Sequence, residues 1–185
     1  TKGQYILLSA HREENIDTDR NFAQLFTAVN AMAEKYDMPI LYSCHPRSRK
    51  RLEATGFQLD TRVIAHEPLG FLDYNCLQMN AFAVVSDSGT LPEESSFFLS
   101  VGKPFPAVSI RTSTERPEAL DAGCFVLAGI DADSLLQAVE MAVGMQRAEC
   151  FGTPVAGYTA ENVSMKVARI IQSYTGIVNK MVWRK

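Results

Sequence analysis

The sequence lacks the features that mark membrane proteins and nucleic-acid-binding proteins. Its apolar runs are short and interrupted, and none approaches the roughly 20 residues that a membrane-spanning helix needs. The chain does not open with a basic segment followed by an apolar one, as a secretion signal would. The 18 basic and 21 acidic residues give a net charge of -3, so no positive excess attracts nucleic acid or an anionic membrane. We therefore expect a soluble protein with neither nucleic acid nor membrane as a partner.

Cysteine is also scarce. The chain has four cysteines, which are far apart, form no CxxC pair and lie mostly in apolar runs: Cys44, Cys76, Cys124 and Cys150. This pattern is typical of reduced thiols in a cytoplasmic protein, and it disfavours a zinc site. An initiator methionine is missing as well, since the chain begins at Thr1 and enters a predicted strand almost at once. We therefore expect a cytoplasmic protein without a bound metal, and a piece of a longer chain.

The sequence does contain an alternation of short aliphatic runs with longer segments of helical period. Six predicted strands span Tyr5–Ala10, Ile40–Cys44, Arg62–Ala65, Phe82–Ser86, Ala107–Ile110 and Cys124–Leu127. Predicted helices cover Phe22–Tyr36, Pro46–Ala54, Phe71–Asn80, Leu91–Ser100, Ser134–Arg147 and Thr159–Ile177. This alternation is typical of a parallel sheet covered on both faces. We predict a single α/β domain over residues 1–185, with a Rossmann-like doubly wound parallel sheet.

Polar residues follow four of the predicted strands. They form the segments 11–15 (HREEN), 45–47 (HPR), 86–90 (SDSGT) and 111–118 (RTSTERPE). In an open parallel sheet, ligands bind beyond the carboxyl ends of the strands, near the point where the strand order reverses. The functional residues are therefore expected in these four segments.

The turn after the fourth strand has the chemistry of an anion site. Thr90 followed by Glu93 matches a capping box, and Pro92 fits the first turn of a helix. The N–H groups of Gly89, Thr90 and Leu91 would then point outward at the positive end of the helix dipole, where a diphosphate can bind. A simple capped helix without a ligand explains the same residues equally well.

Two adjacent carboxylates favour a nucleotide over a bare phosphate. Glu93 can serve the cap, which leaves Glu94 to accept both hydroxyls of a ribose. A serine-hydrolase elbow is disfavoured, because it needs glycines where this chain has Ser86 and Thr90. NAD is disfavoured as a cofactor, because the first strand leads into HREEN and not into a GxGxxG turn.

Basic side chains occupy the other three segments. Arg111 and Arg116 could neutralise phosphate oxygens without a metal, or they could pair with nearby acids as surface arginines usually do. His11 would lie at the mouth of the cleft, where an imidazole suits proton transfer, although a lone histidine is more often structural. The same choice holds for His45. Its basic neighbours form a ligand-side patch or, as we prefer, a solvated helix face: Arg47, Arg49, Lys50 and Arg51.

In this order and at these spacings, HREEN, SDSGTLPEES and TERPE resemble the motifs of the non-hydrolysing UDP-N-acetylglucosamine 2-epimerases. The resemblance covers essentially the whole chain. Enzymes of this family consist of two similar Rossmann-like domains in a glycosyltransferase-B arrangement, and the chain resembles the second domain only. The resemblance therefore implies a C-terminal half that binds UDP and UDP-N-acetylhexosamine and whose partner is an absent N-terminal domain. It also implies a homodimer, as is typical of the full-length family.

The resemblance assigns roles residue by residue. His11 becomes the catalytic candidate, as the cleft histidine of the family's HRxEN motif. The residues implied to bind UDP are Ser88, Gly89, Thr90, Glu94, Arg111, Arg116 and Tyr74, with Glu94 on the ribose and Tyr74 near the nucleoside. The resemblance also implies that the backbone at 66–68 meets the uracil. Further candidates for the cleft, by their position in the polar segments or near them, are Arg12, Asn15, His45, Arg47, Glu67, Pro68 and Glu93. The resemblance implies no metal and no other cofactor.

The implied activity is 2-epimerisation, in which UDP is eliminated to leave a 2-acetamidoglycal and is then added back. Thr90 departs from the many family members that have a second glycine there, and with PLGFLDYNCLQ it is more similar to the capsule and O-antigen branch, which forms UDP-N-acetyl-L-fucosamine. Two alternatives remain. The chain could be the donor-binding domain of a glycosyltransferase of the same architecture, or a non-catalytic nucleotide-sugar sensor. On its own, the chain is expected to bind UDP without epimerase activity.

Overall fold

The fold is built on one parallel β-sheet. The computed structural model describes residues 1–185. Its strands are β1 (Ile6–Ser9), β2 (Ile40–Ser43), β3 (Val63–His66), β4 (Ala83–Ser86), β5 (Ala107–Ser109) and β6 (Val126–Leu127). They lie in the order β3-β2-β1-β4-β5-β6, and every neighbouring pair is parallel. This order is that of a Rossmann-like sheet and reverses between β1 and β4, so the predicted fold is confirmed.

Eight α-helices connect and cover the strands: α1 (Glu13–Ile16), α2 (Asp19–Tyr36), α3 (Pro46–Thr55), α4 (Phe71–Asn80), α5 (Leu91–Ser100), α6 (Pro117–Asp121), α7 (Ala132–Arg147) and α8 (Val163–Met181). A short 3-10 helix lies at Ala156–Tyr158. The helices α1 and α6 were not predicted, because four or five residues are too few to show an apolar period. Both begin in the polar segments that follow β1 and β5.

Apolar residues of the central strands alternate between the two faces of the sheet, as the two-residue period of a strand requires. Ile6 and Leu8 belong to a core of 25 buried residues, which α2 and α7 cover. Leu7 and Val84 belong to a second core of eight buried residues, to which α5 contributes Leu91. Since both faces are covered, a ligand reaches the sheet at the ends of its strands.

The local sequence determines where the first long helix, α2, begins and ends. The side chain of Thr18 accepts a hydrogen bond from the N–H of Asn21 (3.1 Å) and caps the start of α2. The helix ends at Asp37, which has a left-handed conformation. Spacings of three and four in the sequence predict one core-facing stripe on this helix: Phe22, Leu25, Phe26, Val29, Met32, Ala33 and Tyr36. All of these residues are buried except Tyr36, which is half-buried.

The C-terminal helix α8 buries none of its 19 residues. Exposed apolar side chains recur on it at alternating intervals of four and three and so form one stripe, the α8 stripe: Val163, Val167, Ile170, Tyr174, Ile177 and Met181. None of the helices is both long enough and apolar enough to cross a membrane. The α8 stripe is therefore an amphipathic surface that nothing in this chain covers.

Candidate functional site

Two of the predicted polar segments meet because β1 and β4 are neighbours in the sheet. Asp87, the residue after β4, accepts hydrogen bonds through Oδ2 from the N–H groups of His11 and Arg12, both at 2.9 Å. The same oxygen accepts a hydrogen bond from the side-chain amide of Asn15 (3.1 Å). Asn15 also donates to the carbonyl oxygen of Ile110 after β5 (3.0 Å). Asp87 and Asn15 therefore hold three loops together at the carboxyl edge of the sheet.

Asp87 is completely buried, and the sequence did not single it out. Its Oδ1 has no hydrogen-bond partner and lies 3.3 Å from Nδ1 of His11. The same nitrogen lies 3.4 Å from the hydroxyl of Ser9, so Nδ1 faces a hydroxyl and a carboxylate, and Nε2 is the ring nitrogen left for proton chemistry. The His11 side chain is 44% exposed, so the ring lies at the surface of the cleft.

Gly89 and Arg12 bring two groups of N–H donors to the start of α5. The Nε of Arg12 donates to the carbonyl oxygen of Asp87 (3.2 Å), which holds the guanidinium beside the turn. A Cβ atom added at Gly89 would lie only 2.7 Å from an Nη atom of Arg12. The N–H of Gly89 has no acceptor in the protein. The corner thus combines a helix N-terminus, a free N–H and a guanidinium, which are the features of an anion site.

The predicted capping box at the start of α5 is wrong. Thr90 is in the right-handed helical region (φ -90°, ψ -11°), and its side chain caps no N–H group. Instead, the hydroxyl of Ser88 accepts a hydrogen bond from the N–H of Thr90 (3.3 Å), and the carbonyl oxygen of Ser88 accepts one from Leu91 (3.4 Å). Of the three N–H groups expected to be free, only that of Gly89 has no partner.

Glu93 also does not serve the cap, because Nε of Arg116 donates to its carboxylate at 2.7 Å. Glu94 is held by two donors. The hydroxyl of Thr90 donates to Oε1 (2.6 Å), and the side-chain amide of Gln78 on α4 donates to Oε2 (2.7 Å). The two adjacent acids therefore have separate surroundings, and the carboxylate of Glu94 lies one turn into α5.

Arg111 is buried at the end of β5 and is paired with acids from two segments. Its guanidinium forms a two-pronged ion pair with Glu115 and a third contact with Glu14 (3.2 Å). Hydrogen bonds from Arg111, more than any other cause, lower the pKa of Glu115 to about 2. Both arginines of this segment are thus paired with carboxylates, which is one of the two alternatives that the sequence left open. Their contact with phosphate stays a prediction.

The segment after β2 forms the start of α3. His45 is the N-cap residue of that helix, and its Nδ1 accepts a hydrogen bond from the N–H of Arg47 (3.3 Å). Arg47 forms exposed ion pairs with Glu13 (2.9 Å) and Asp17 (2.8 Å). Other exposed pairs join Arg49 with Glu67 at 3.5 Å and Arg51 with Asp19 at 2.7 Å. Arg47, Arg49 and Arg51 therefore pair with acids as residues on a solvated helix face do, and such pairs add little stability. A contact of His45 or Arg47 with a ligand stays a prediction.

Tyr74 on α4 packs against the smaller core. Burial, and then the charge of Glu94, raise its pKa to about 12. Phe71 and Leu72, in the first turn of the same helix, are instead 79% exposed. A groove of about 360 Å³ adjoins Phe71, and its lining residues are Phe71, Asn75, Glu93, Glu94, Phe97, Phe98 and Tyr158. The sequence did not predict this groove, because the faces of α4 and α5 that stay uncovered depend on how the helices pack.

Comparisons with known proteins show which family the chain is similar to. The family model described as UDP-N-acetylglucosamine 2-epimerase matches residues 1–172. A UDP-N-acetylglucosamine 2-epimerase of Methanococcus maripaludis is 38% identical over 141 residues, which are 74% of this chain and 37% of that protein. The structure of the UDP-N-acetylglucosamine 2-epimerase from Rickettsia bellii has a TM-score of 0.82 at 35% identity, covering 100% of this chain and 48% of that one.

A second solved structure is that of the Methanocaldococcus jannaschii UDP-GlcNAc 2-epimerase in complex with UDP-GlcNAc and UDP. It has a TM-score of 0.76 at 30% identity and covers 91% of this chain and 45% of that one. The chain thus spans less than half the length of these relatives. The match of the family model over nearly the whole chain decides against a glycosyltransferase donor domain. This chain belongs to the UDP-N-acetylglucosamine 2-epimerase family.

Proposed function

We propose that the chain is the UDP-binding half of a UDP-N-acetylhexosamine 2-epimerase. The observation that carries the proposal is the start of α5, where the free N–H of Gly89 and the guanidinium of Arg12 lie together. A cation at a helix N-terminus is repelled by the positive end of the helix dipole unless an anion lies between them. A diphosphate satisfies both groups, and the hydroxyl of Ser88 beside them is a further donor.

Further residues complete the proposed nucleotide site. The carboxylate of Glu94 can accept both ribose hydroxyls, because each of its oxygens has a lone pair left after the bonds to the protein. The nucleoside would then lie towards Tyr74, with the backbone at 66–68 against the uracil. Arg111 and Arg116 would reach the diphosphate by exchanging a carboxylate partner for a phosphate oxygen.

The proposed reaction expels UDP and takes it back. The hydrogen on C2 is not next to a carbonyl group, so its direct removal faces a prohibitive barrier. Elimination breaks the C1–O bond to the diphosphate and the C2–H bond, and it leaves a 2-acetamidoglycal and UDP. Re-addition forms both bonds again with the other configuration at C2. Negative charge grows on the departing diphosphate, so donors fixed at the start of α5 stabilise the transition state.

His11 is the proposed catalytic residue of this half. Nδ1 is the ring nitrogen that lies 3.3 Å from Asp87, so Nε2 is the one that we propose holds a proton at the leaving group. The group that takes the proton from C2 is assigned to the other half of the enzyme. The isolated chain is therefore expected to bind UDP and to have no epimerase activity.

An N-terminal domain is the proposed partner of the chain. The relatives above are more than twice as long as the part that matches. The α8 stripe is the surface proposed to meet that domain, since its spacing suits packing against another helix. An uncovered stripe of this length is costly in water, and the second domain would bury it.

The substrate is proposed to be the UDP-N-acetylglucosamine and UDP-N-acetylmannosamine pair or, in the capsule branch, the pair that yields UDP-N-acetyl-L-fucosamine. The chain extended by its N-terminal half can be assayed with UDP-N-acetylglucosamine and with the L-talose analogue in D₂O. NMR at C2 reports both inversion and deuterium uptake. Turnover of only one sugar identifies the branch. Deuterium uptake catalysed by the isolated chain would contradict the proposal that the group that removes the C2 proton belongs to the other half.

The binding site itself is tested by Gly89→Ala. The added methyl group would displace the guanidinium of Arg12, so one charge-assisted hydrogen bond to the diphosphate is lost. Such a bond contributes about 1.5–3 kcal/mol, which corresponds to UDP binding that is weaker by roughly tenfold to a hundredfold. Isothermal titration calorimetry measures this difference directly.

Gly144→Ala is the matched control, because a methyl group at that position in α7 meets no atom within 4 Å. Its affinity for UDP should equal that of the wild-type chain. Wild-type affinity in Gly89→Ala, or no UDP binding by the unaltered chain, would overturn the proposed site.

A further inference from the structure

Gln78 on α4 is completely buried, and the proposed reaction gives it no role. Its side-chain amide donates to Oε2 of Glu94 at 2.7 Å. Its other polar atom, Oε1, is buried without a hydrogen-bond partner. A buried acceptor left without a donor costs stability that an apolar side chain of the same size would not. Gln78 is therefore a poor choice for packing alone, and its one good contact is with Glu94.

The two donors on Glu94 fix the plane of its carboxylate. The hydroxyl of Thr90 holds Oε1 at 2.6 Å, and the amide of Gln78 holds Oε2. Each oxygen keeps a lone pair, so the pair presents two acceptors at a fixed spacing. Without Gln78, one oxygen would be held and the group could rotate about its last bond. A fixed pair of acceptors matches two hydroxyls on neighbouring carbons better than a rotating pair does.

We propose that Gln78 is a positioning residue that makes the site specific for ribonucleotides, because it fixes Glu94 to accept the 2′- and 3′-hydroxyls together. The inference rests on the proposed UDP site. Gln78 itself does not touch the ligand, since its side chain is completely buried and reaches the site only through its hydrogen bond to Glu94. Gln78 therefore affects the selectivity of the site for ribose and not its affinity for the phosphates.

The test compares UDP with 2′-deoxy-UDP by isothermal titration calorimetry. The wild-type chain should prefer UDP by about tenfold or more, as expected for one hydrogen bond to a charged group. In Gln78→Met, the preference should fall to about threefold or less, while the affinity for 2′-deoxy-UDP changes little. Gln146→Met is the matched control, because this half-buried glutamine bonds the carbonyl oxygen of Pro104 away from the site (3.3 Å). It should keep the wild-type preference.

A second measurement needs no substitution at Gln78. The side-chain amide protons of Gln78 should shift in the NMR spectrum when UDP binds, and should shift much less with 2′-deoxy-UDP. An unchanged preference in Gln78→Met, or amide signals that respond equally to both nucleotides, would overturn the inference. Failure of the proposed site looks different, because then the wild-type chain itself would show no preference and Glu94→Gln would not weaken UDP binding.

Discussion

Arg111 is a buried cation whose partners come from two separate loops. Glu115 lies four residues further along the chain, whereas Glu14 belongs to α1. Arg111 is buried whereas both carboxylates are about half exposed, so only the removal of the acids would leave a buried charge without compensation. If UDP displaces Glu115 from Arg111, the phosphate takes over a role that the carboxylate fills in the free chain.

We expect the chain to lose stability in acid as Glu115 is protonated and its ion pair with Arg111 is lost. Arg111 lowers the pKa of Glu115 from its usual 4.5 to about 2 in the folded chain. A carboxylate with a lowered folded pKa stabilises the fold above its unfolded pKa, and this contribution is lost as the pH falls through the folded value. Between pH 4.5 and about 2, the free energy of unfolding should fall more steeply in the wild-type chain than in Glu115→Gln.

Urea denaturation at several pH values in that window measures the two slopes. Glu53→Gln is the control, since Glu53 is exposed on α3 and has no part in the cleft. Equal slopes in the wild-type chain and Glu115→Gln would show that the ion pair does not form in solution.

The residues of the site differ in how far the sequence could predict them. The segments that carry His11, Gly89 and Glu94 could be placed at the carboxyl edge of the sheet, because they follow predicted strands. The role of Asp87 could not, since its partners are main-chain N–H groups at residues 11 and 12, which only the pairing of β1 with β4 brings close. Gln78 was missed for the same reason, because its contact joins two different helices.

Among the helices, local signals and tertiary contacts compete at the N-termini. Thr18 and Thr90 both precede a helix, but only the side chain of Thr18 accepts a hydrogen bond from a helical N–H. At the start of α5, Arg116 from the loop after β5 binds Glu93 and takes it away from the cap. A capping-box pattern considers only four neighbouring residues, so it does not include an ion-pair partner that is distant in the sequence.

We predict that Thr18→Ala lowers the free energy of unfolding by about 1 kcal/mol, because α2 loses its cap. Thr90→Ala should cost less than about half of that, since Thr90 caps no N–H group and its hydrogen bond to Glu94 is exposed to water. Urea denaturation at neutral pH compares the two variants with the wild-type chain. An equal or larger loss in Thr90→Ala would contradict this prediction, because the hydroxyl of Thr90 would then stabilise the start of α5 as much as a cap does.

Over the whole molecule, charge is divided unevenly between the body and the C-terminal helix. Residues 163–185 contain five basic residues and no acidic one, which leaves 13 basic and 21 acidic residues, or a charge of -8, for the rest of the chain. Two α8 stripes pairing with each other would therefore bring like charges together, which disfavours a dimer built on this helix. An N-terminal domain with an apolar surface and acidic rim is a better match for the α8 stripe.

Ile170→Asp tests what the α8 stripe does. Ile170 is exposed in this chain, so the substitution should change the free energy of unfolding of the isolated chain by no more than about 0.5 kcal/mol. In the enzyme extended by its N-terminal half, the same charge would lie in a buried contact, and epimerase activity should be lost. Gln172→Asp is the control, because it places the same charge on the opposite side of α8, where activity should be kept. If sedimentation instead shows that the isolated chain is a dimer that Ile170→Asp separates, the stripe binds a second copy and the domain contact is wrong.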